Sequence, residues 1–285
     1  MFCRALVSCG YLSEEQMLRA ADRYHLGKSS DGGVIFWQID TEGRTRDGKI
    51  MFYRDDCHRD KSHHPSWVTA RMKAYYGYDG DLPVDRCLFG LHLLGHTDPT
   101  DLTDNLSPAE MKEIKEMTPS EYVKRSQISA VSAIWKHPSS VATRHSSSQA
   151  WLCSRCSIGS AGQSESVRSE RSVCKKITVC VVEAEKTAVI MSEVYPQYLW
   201  MAAGGLSMLN AEKLLPLRDH HVILFPDTDP NGKAFAHWLQ IAKEASRHTL
   251  YPVYVSPLLE HHATPEQKAA KIDIVDYLFH PNPSI

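Results

Sequence analysis

The chain has 285 residues and a formal net charge of −2. That length holds one large or two modest domains with a sizeable core, and the balanced charge excludes a global attraction to polyanions, so any nucleic-acid contact has to come from a local patch. No apolar run approaches the ~20 residues of a membrane span; the apolar stretch within 1–10 lacks the length and cleavage pattern of a secretory signal, so the cytoplasm is the expected compartment. Eight scattered cysteines read as reduced, buried thiols rather than as a disulfide framework.

Residues 13–25 have helical spacing, with Met17, Leu18, Ala20, Ala21 and Tyr24 able to share a face, Ser13 as N-cap and Glu14 and Glu15 in the first turn. Gly32-Gly33 lead into a strand at 34–39, and Thr41-Glu42-Gly43 turn the chain toward a second at 48–53. Basic residues then crowd together, among them Arg44, Lys49, Arg54, Arg59 and Lys61, interleaved with Trp37, Phe52, Tyr53 and Trp67. Cations that neutralise phosphates beside rings that stack on bases suit single-stranded nucleic acid or a nucleotide. Asp47, Asp55, Asp56 and Asp60 sit among them, so a solvated mixed-charge face is the competing reading.

The pattern breaks over 97–176. Ser107-Pro108-Ala109-Glu110 opens a helix to about Met117, a second helix runs from Ser120-Glu121 to about Trp135, and between Pro138 and Ser172 twelve residues are serine. A stretch with so few apolar side chains cannot offset its ordering entropy and reads as a disordered insert or linker, or as an out-of-frame stretch. After 177, strands at 177–182, 198–202, 221–226 and 251–255 alternate with helices near 185–193, 207–215 and 231–246. That rhythm predicts an α/β unit with a mostly parallel sheet covered on both faces. The expected division is 1–96, an irregular 97–176, and 177–285.

Two of these strands end in acids. Ile177-Thr178-Val179-Cys180-Val181-Val182 runs into Glu183, and Val222-Ile223-Leu224-Phe225 runs through Pro226 into Asp227-Thr228-Asp229-Pro230-Asn231-Gly232. Ligands of open α/β sheets collect beyond the carboxyl ends of the strands, and Mg²⁺ takes a few carboxylates while keeping waters for a phosphate to displace. Glu183, Asp227 and Asp229 are therefore candidates for a divalent-metal site serving phosphodiester or nucleotide chemistry; singly, each is also an ordinary polar residue leaving the core. Asp273 and Asp276, three apart, can share a helix face toward the same metal or be a capping Asp and an exposed acid. Lys186 and Lys233 follow the acidic motifs and can meet phosphate oxygens or simply be solvated, and Gly205 either admits close backbone approach or makes a turn. Cys153-Ser154-Arg155-Cys156, followed by Cys174 and Cys180, and Cys57-His58 near His63-His64, lack the four matched ligands of a structural zinc site; no zinc is expected.

In that order, Glu183 and Asp227-Thr228-Asp229-Pro230-Asn231-Gly232 resemble the toprim domain shared by DnaG-type primases, type IA and II topoisomerases and some nucleases. Ala202-Ala203-Gly204-Gly205 resembles its glycine turn, and Lys271-Ile272-Asp273-Ile274-Val275-Asp276-Tyr277-Leu278 the late acidic element of primases. Upstream, Tyr11-Leu12-Ser13-Glu14-Glu15 through Tyr24-His25-Leu26-Gly27, then Gly33-Val34-Ile35-Phe36-Trp37-Gln38-Ile39-Asp40 with Glu42-Gly43-Arg44, and Leu88-Phe89-Gly90-Leu91, resemble a primase core. The likeness covers 11–95 and 177–280 and is to a primase-like toprim family of mobile elements. It departs at Thr187, where DnaG-type primases carry Asp, and in having no zinc ribbon ahead of the core. The resemblance implies a toprim-type sheet flanked by helices behind a smaller mixed α/β primase-core-like subdomain. It implies Mg²⁺ or Mn²⁺ held by Glu183, Asp227 and Asp229 with Asp273 and Asp276, and nucleotidyl transfer from nucleoside triphosphates on single-stranded DNA, with a replicative helicase as a further partner. A toprim nuclease and a catalytically degenerate binding module are the alternatives; a topoisomerase needs a tyrosine-bearing domain for which there is no room.

Overall fold

The computed structural model describes residues 1–82, 84–95 and 177–280; the helices expected at 107–117 and 120–135 and the serine-rich stretch lie outside the described residues. The fold is mixed α/β, built on an antiparallel sheet and a parallel one.

The chain opens with a helix, α1 (Phe2–Ser8), where the sequence showed only an apolar stretch; Phe2, Ala5 and Leu6 are buried. The second helix, α2 (Glu14–Arg23), starts where its cap dictates: the Ser13 side chain accepts from Gln16 N–H and Gln16 reaches back to Ser13 N–H, a reciprocal capping box. β1 (Gly27–Lys28), β2 (Val34–Ile39), β3 (Thr45–Met51) and β4 (Ser66–Trp67) then form an antiparallel sheet in the order β1-β2-β3-β4. β3 begins earlier than the residue pattern suggested. The reason is Asp40, whose Oδ1 accepts from both Glu42 N–H and Arg44 N–H at 2.9 Å and closes the turn tightly enough for Thr45 to pair with Ile39. Gly48 is obligatory within the strand, since a Cβ there would lie 2.8 Å from the Trp37 ring and from Ile35 Cγ2. A helix that the sequence reading did not identify, α3 (Val68–Tyr76), follows and buries none of its residues.

Residues 84–95 join the two halves. Phe89 exchanges backbone hydrogen bonds with Ala202 (2.9 and 3.1 Å) along the edge of the parallel sheet, and its ring stacks on Tyr24 at 4.8 Å and meets Phe36 edge-on. Gly90 follows with a left-handed backbone (φ 85°); a Cβ there would press on the Tyr24 ring at 3.0 Å and on the Trp200 carbonyl at 3.1 Å. Tyr24 in turn donates its hydroxyl to Trp200 O at 2.8 Å.

The second sheet comprises β5 (Thr178–Val182), β6 (Leu199–Ala202), β7 (His221–Phe225) and β8 (Val253–Val255), all parallel, in the order β6-β5-β7-β8. Its strands are apolar on successive residues because both faces are covered, as parallel sheets require. Cys180, Val182, Trp200, Ala202 and Phe225 face a core shared with α1, α2, the antiparallel sheet and the helix α4 (Glu185–Val194). Val179, Val181, Met201, Val222 and Leu224 face the opposite core, with Trp238, Ile241 and Ala242 of α5 (Lys233–Ala245). The helix expected near 207–215 is instead two short 3-10 turns, Leu206–Met208 and Glu212–Leu217; Pro216 lacks the N–H that would extend the second into an α-helix. Three short helices close the described chain: α6 (Leu258–His262), α7 (Pro265–Ala270) and α8 (Ile274–Phe279). No helix among the described residues is long and apolar enough to cross a membrane.

Charges also tie the halves together. Glu193 of α4, with its side chain 3% exposed, takes ion pairs from Arg19 and Arg23 of α2 at 2.8 and 2.9 Å. Lys49 of β3 reaches across to Glu185 at 3.1 Å and to Gly204 O at 2.7 Å.

Candidate functional site

The parallel sheet changes winding direction between β5 and β7: the chain leaves β5 for β6 on one side and returns to place β7 on the other. A crevice opens at such a switch point, beyond the carboxyl ends of the two diverging strands. Val182 pairs with Phe225 in register, so Glu183 and the Pro226-Asp227 step leave the sheet side by side. Asp227 N–H donates to Glu183 Oε1 at 3.1 Å, which sets the two acids against each other at that crevice.

Asp273 arrives from a different part of the chain. Thr228 N–H donates to Ile272 O at 2.9 Å and its hydroxyl donates to the same carbonyl at 3.1 Å, so the loop after β7 is stitched to the residue preceding Asp273. Asp273 is the N-cap of α8: its Oδ1 accepts from Asp276 N–H at 2.8 Å, and Asp276 completes a capping box. Its Oδ2 accepts the hydroxyl proton of Thr187 from α4. Thus the capping reading of Asp273 holds, and its charge also acts on Glu183 and Asp227.

The electrostatics follow from this crowding. Burial raises Glu183, and the Asp273 and Asp229 charges add to the rise, against the hydrogen bond from Asp227 N–H. Asp227 is raised well above the usual carboxylate range, first by burial and then by Glu183, Asp273 and Asp276, with Lys186 opposing. Asp276 is raised by burial and by Asp273, again with Lys186 opposing. Lys186 itself donates to Cys57 O at 3.4 Å and lies 6.0 Å from the centre of the Tyr11 ring. Mutual repulsion among acids is the condition that a divalent cation relieves.

Asp229 behaves differently. Its Oδ1 accepts from Asn231 N–H at 2.9 Å and its Oδ2 from Ala234 N–H at 2.7 Å. Burial alone pulls it upward, yet hydrogen bonds from Ala234, Asn231 and Lys233 hold it below the ordinary value. It is an anion placed at the start of α5, where helix N–H groups favour negative charge. Lys233 is exposed at the same helix start. Gly204 and Gly205, with φ of 92° and 142°, make the turn after β6, and a Cβ on Gly204 would come within 3.3 Å of Glu185 Oε1.

Among the described residues no group of three or more His, Cys, Asp or Glu stands ready as a metal cage. The donor chemistry is of a kind that a hard cation takes: Glu183 and Asp227 offer carboxylate oxygens side by side, and Mg²⁺ is commonly held by one or two carboxylates, with waters and substrate phosphates filling the other positions.

The basic–aromatic surface divides. Lys49 has a side chain only 12% exposed and is spent on Glu185. Arg44 pairs with Asp40 and Glu42, and Arg54 with Asp56; Arg59 and Lys61 are exposed. The rings are engaged within the fold: Tyr53 is buried, Phe52 stacks on His63 at 4.4 Å, and Arg86 covers Trp67 at 3.9 Å. Among the described residues the exposed aromatics are Tyr75 and Tyr76 of α3 and Tyr78 just after it, none of which the sequence pattern singled out. Arg44 also lines a groove of about 780 Å³ with Arg46, Arg86 and Lys213, between the β2–β3 turn and the Glu212–Leu217 turn.

The chain matches the model of a domain of unknown function (DUF6371) over residues 1–103 and 128–228. It belongs to that family. No curated protein and no solved structure matches it. The DUF6371 match takes in Glu183, Lys186, Thr187, Gly205 and Asp227 and ends before Asp229, Asp273 and Asp276.

Sequence reasoning missed two residues of this site. Thr187 was visible only as a departure from an acid; its partnership with Asp273 spans 86 positions and leaves no local signal. Glu185 reads as an ordinary first-turn acid of α4, yet it is 1% exposed and anchors Lys49.

Proposed function

We propose that this DUF6371 protein is a toprim-type, primase-like protein that carries out metal-dependent nucleotidyl transfer on single-stranded DNA, with nucleoside triphosphates as substrates and a replicative helicase as partner. The observation that carries the reading is the pairing of Glu183 with Asp227 at the winding-reversal point of a parallel sheet, both raised by burial and by neighbouring acids.

In this reading Glu183 and Asp227 hold Mg²⁺ or Mn²⁺, with Asp273 and Asp276 contributing negative charge behind them. The bound ion supplies Lewis-acid activation of a hydroxyl and neutralises charge on the transferred phosphoryl group. Glu183, with its raised affinity for protons, is placed to accept the proton of the attacking hydroxyl. Lys186 and Lys233 flank the crevice for phosphate oxygens, and the glycine turn at 204–205 lets a nucleotide approach the backbone. Arg59 and Lys61, both exposed, offer cations to a strand, whereas Arg46 and Arg86 of the groove are paired with Asp40 and Asp47. A second reading, a binding module without catalysis, draws on Asp229, whose oxygens are engaged at the start of α5, and on Thr187 in place of an acid.

Labelled nucleoside triphosphates, single-stranded DNA and Mg²⁺ or Mn²⁺ separate these readings. Primer-length products that fall by about 10²–10⁴-fold in Glu183→Gln support nucleotidyl transfer. Cleavage products assign a nuclease. A parent protein inactive with both metals, yet retaining strand binding, assigns the module.

A further inference from the structure

The groove between the β2–β3 turn and the Glu212–Leu217 turn is lined by cations that the fold pins from one side. Its volume of about 780 Å³ falls within the roughly 300–1,000 Å³ of small-molecule pockets. Arg86 is fixed twice: its Nε donates to Asp47 Oδ2 at 2.9 Å, and its guanidinium lies 3.9 Å from the centre of the Trp67 ring. The Asp47 side chain is fully buried and is itself held by Gly48 N–H, Thr69 N–H and the Thr69 hydroxyl, at 2.8, 3.2 and 2.9 Å. Arg46 is held in the same way, its Nε donating to Asp40 Oδ2 at 2.7 Å, while its terminal nitrogen lies 3.8 Å from Asp85 Oδ2, too far for a hydrogen bond. Both side chains remain about a third exposed, at 28% and 30%. Among the described residues, the terminal nitrogens of both arginines make no hydrogen bond. Lys213 lines the same groove; its Nζ donates to Met208 O at 2.7 Å and has no ion pair among the described residues.

We propose that this groove is a binding site for a small anion of the diphosphate class, either free or as the diphosphate of a nucleotide, received by Arg46, Arg86 and Lys213. The ion pairs of both arginines run through Nε, so each planar fork is oriented before a ligand arrives and loses little freedom when it binds. Two forks and an ammonium call for several phosphoryl oxygens; a single carboxylate would leave most of these donors idle. Burial lowers Lys213, and Arg86 adds to the fall against Cys87 and Asp85, so counter-charge is short at this end of the groove and an anion supplies it. The acids of the groove set the size of the ligand. Arg44 is taken up by Asp40 and Glu42, and Asp85 and Glu212 stand exposed along the groove. Their charges repel the further phosphates of a strand, which needs a continuous positive track, but leave room for a compact anion. The site is separate from the acidic crevice, since none of Glu183, Asp227, Asp273 and Asp276 lines it.

The test uses the full chain in EDTA, so it is independent of the nucleotidyl-transfer reading, which requires a metal. Calorimetric titration with pyrophosphate and, separately, with ADP should show saturable binding. Lys213→Met, which strands no carboxylate, should weaken it by about tenfold or more, and so should Arg46→Lys combined with Arg86→Lys, which keeps the charges facing Asp40 and Asp47 but removes both forks. Circular dichroism checks that each variant is folded; if the double variant is not, Lys213→Met decides. ADP bound no more tightly than pyrophosphate assigns the free anion, and ADP bound more tightly assigns a nucleotide. The proposal is overturned if neither probe binds, or if Lys213→Met binds as the parent does. Displacement of bound ADP by an oligodeoxythymidylate would give the groove to a strand and overturn it as well.

Discussion

Lys49→Met should act on stability, and its effect can be sized from the structure. The Lys49 ammonium pairs with Glu185 at 3.1 Å, with side chains 12% and 2% exposed, and also donates to Gly204 O at 2.7 Å. Glu185 Oε1 is buried with no partner, so Lys49 is the group that compensates this carboxylate. Surface ion pairs contribute about 0–1 kcal/mol, whereas removing one member of a buried pair costs about 3–5 kcal/mol because a charge is left stranded. The single change should therefore lower stability by roughly 3–5 kcal/mol, or about 6–20 °C in Tm at roughly 2–4 °C per kcal/mol for a protein of this size class. Lys49→Met combined with Glu185→Leu removes both charges and should recover most of the loss, as apolar replacement of a buried pair commonly does. Urea and thermal unfolding of the parent, the two single variants and the double variant complete the cycle. A single variant that loses less than about 1 kcal/mol, or that loses strand binding at unchanged stability, would refute the anchoring role and return Lys49 to the nucleic-acid surface.

Asp227→Asn should stabilise the metal-free protein near neutral pH. Burial and then Glu183 raise Asp227 above its unfolded value, so its favourable contribution is complete below that value and is lost as pH rises through the folded one; the gain in Tm should vanish below the ordinary carboxylate pKa of 3.8, and a lower Tm at pH 7 contradicts the assignment. Thr187→Val deletes the donor to Asp273 and should cost about 1–3 kcal/mol in unfolding experiments, while Thr187→Ser retains most of the parent's stability; equal costs would show that the methyl group, not the hydroxyl, matters. Charge reversal at Arg59 and Lys61 should weaken single-strand binding and flatten its dependence on salt, since each lost phosphate contact releases fewer counterions; an unchanged salt slope makes them solvated surface residues.

What was legible in the sequence was local or periodic. Ser13 and Gln16 mark the start of α2 because a cap acts within one turn, and β5, β6 and β7 were readable as apolar runs because a doubly covered sheet demands them. Glu183 and Asp227 stood out because each follows such a run directly. What lies between elements was not legible. Nothing near Lys49 distinguishes a cation that binds phosphate from one that enters the core, since Glu185 lies 136 positions away. The same holds for Asp229, whose oxygens are claimed by the start of α5, and for Asp273, which reaches the crevice through Thr228 and Thr187. The sequence by itself determined the strands, the caps and the acids at the strand tips, because these depend on neighbouring residues and on burial. Only the tertiary structure decided which charges are spent within the fold and which remain together at the crevice, because pairing of charges depends on distances set by packing between segments remote in the chain.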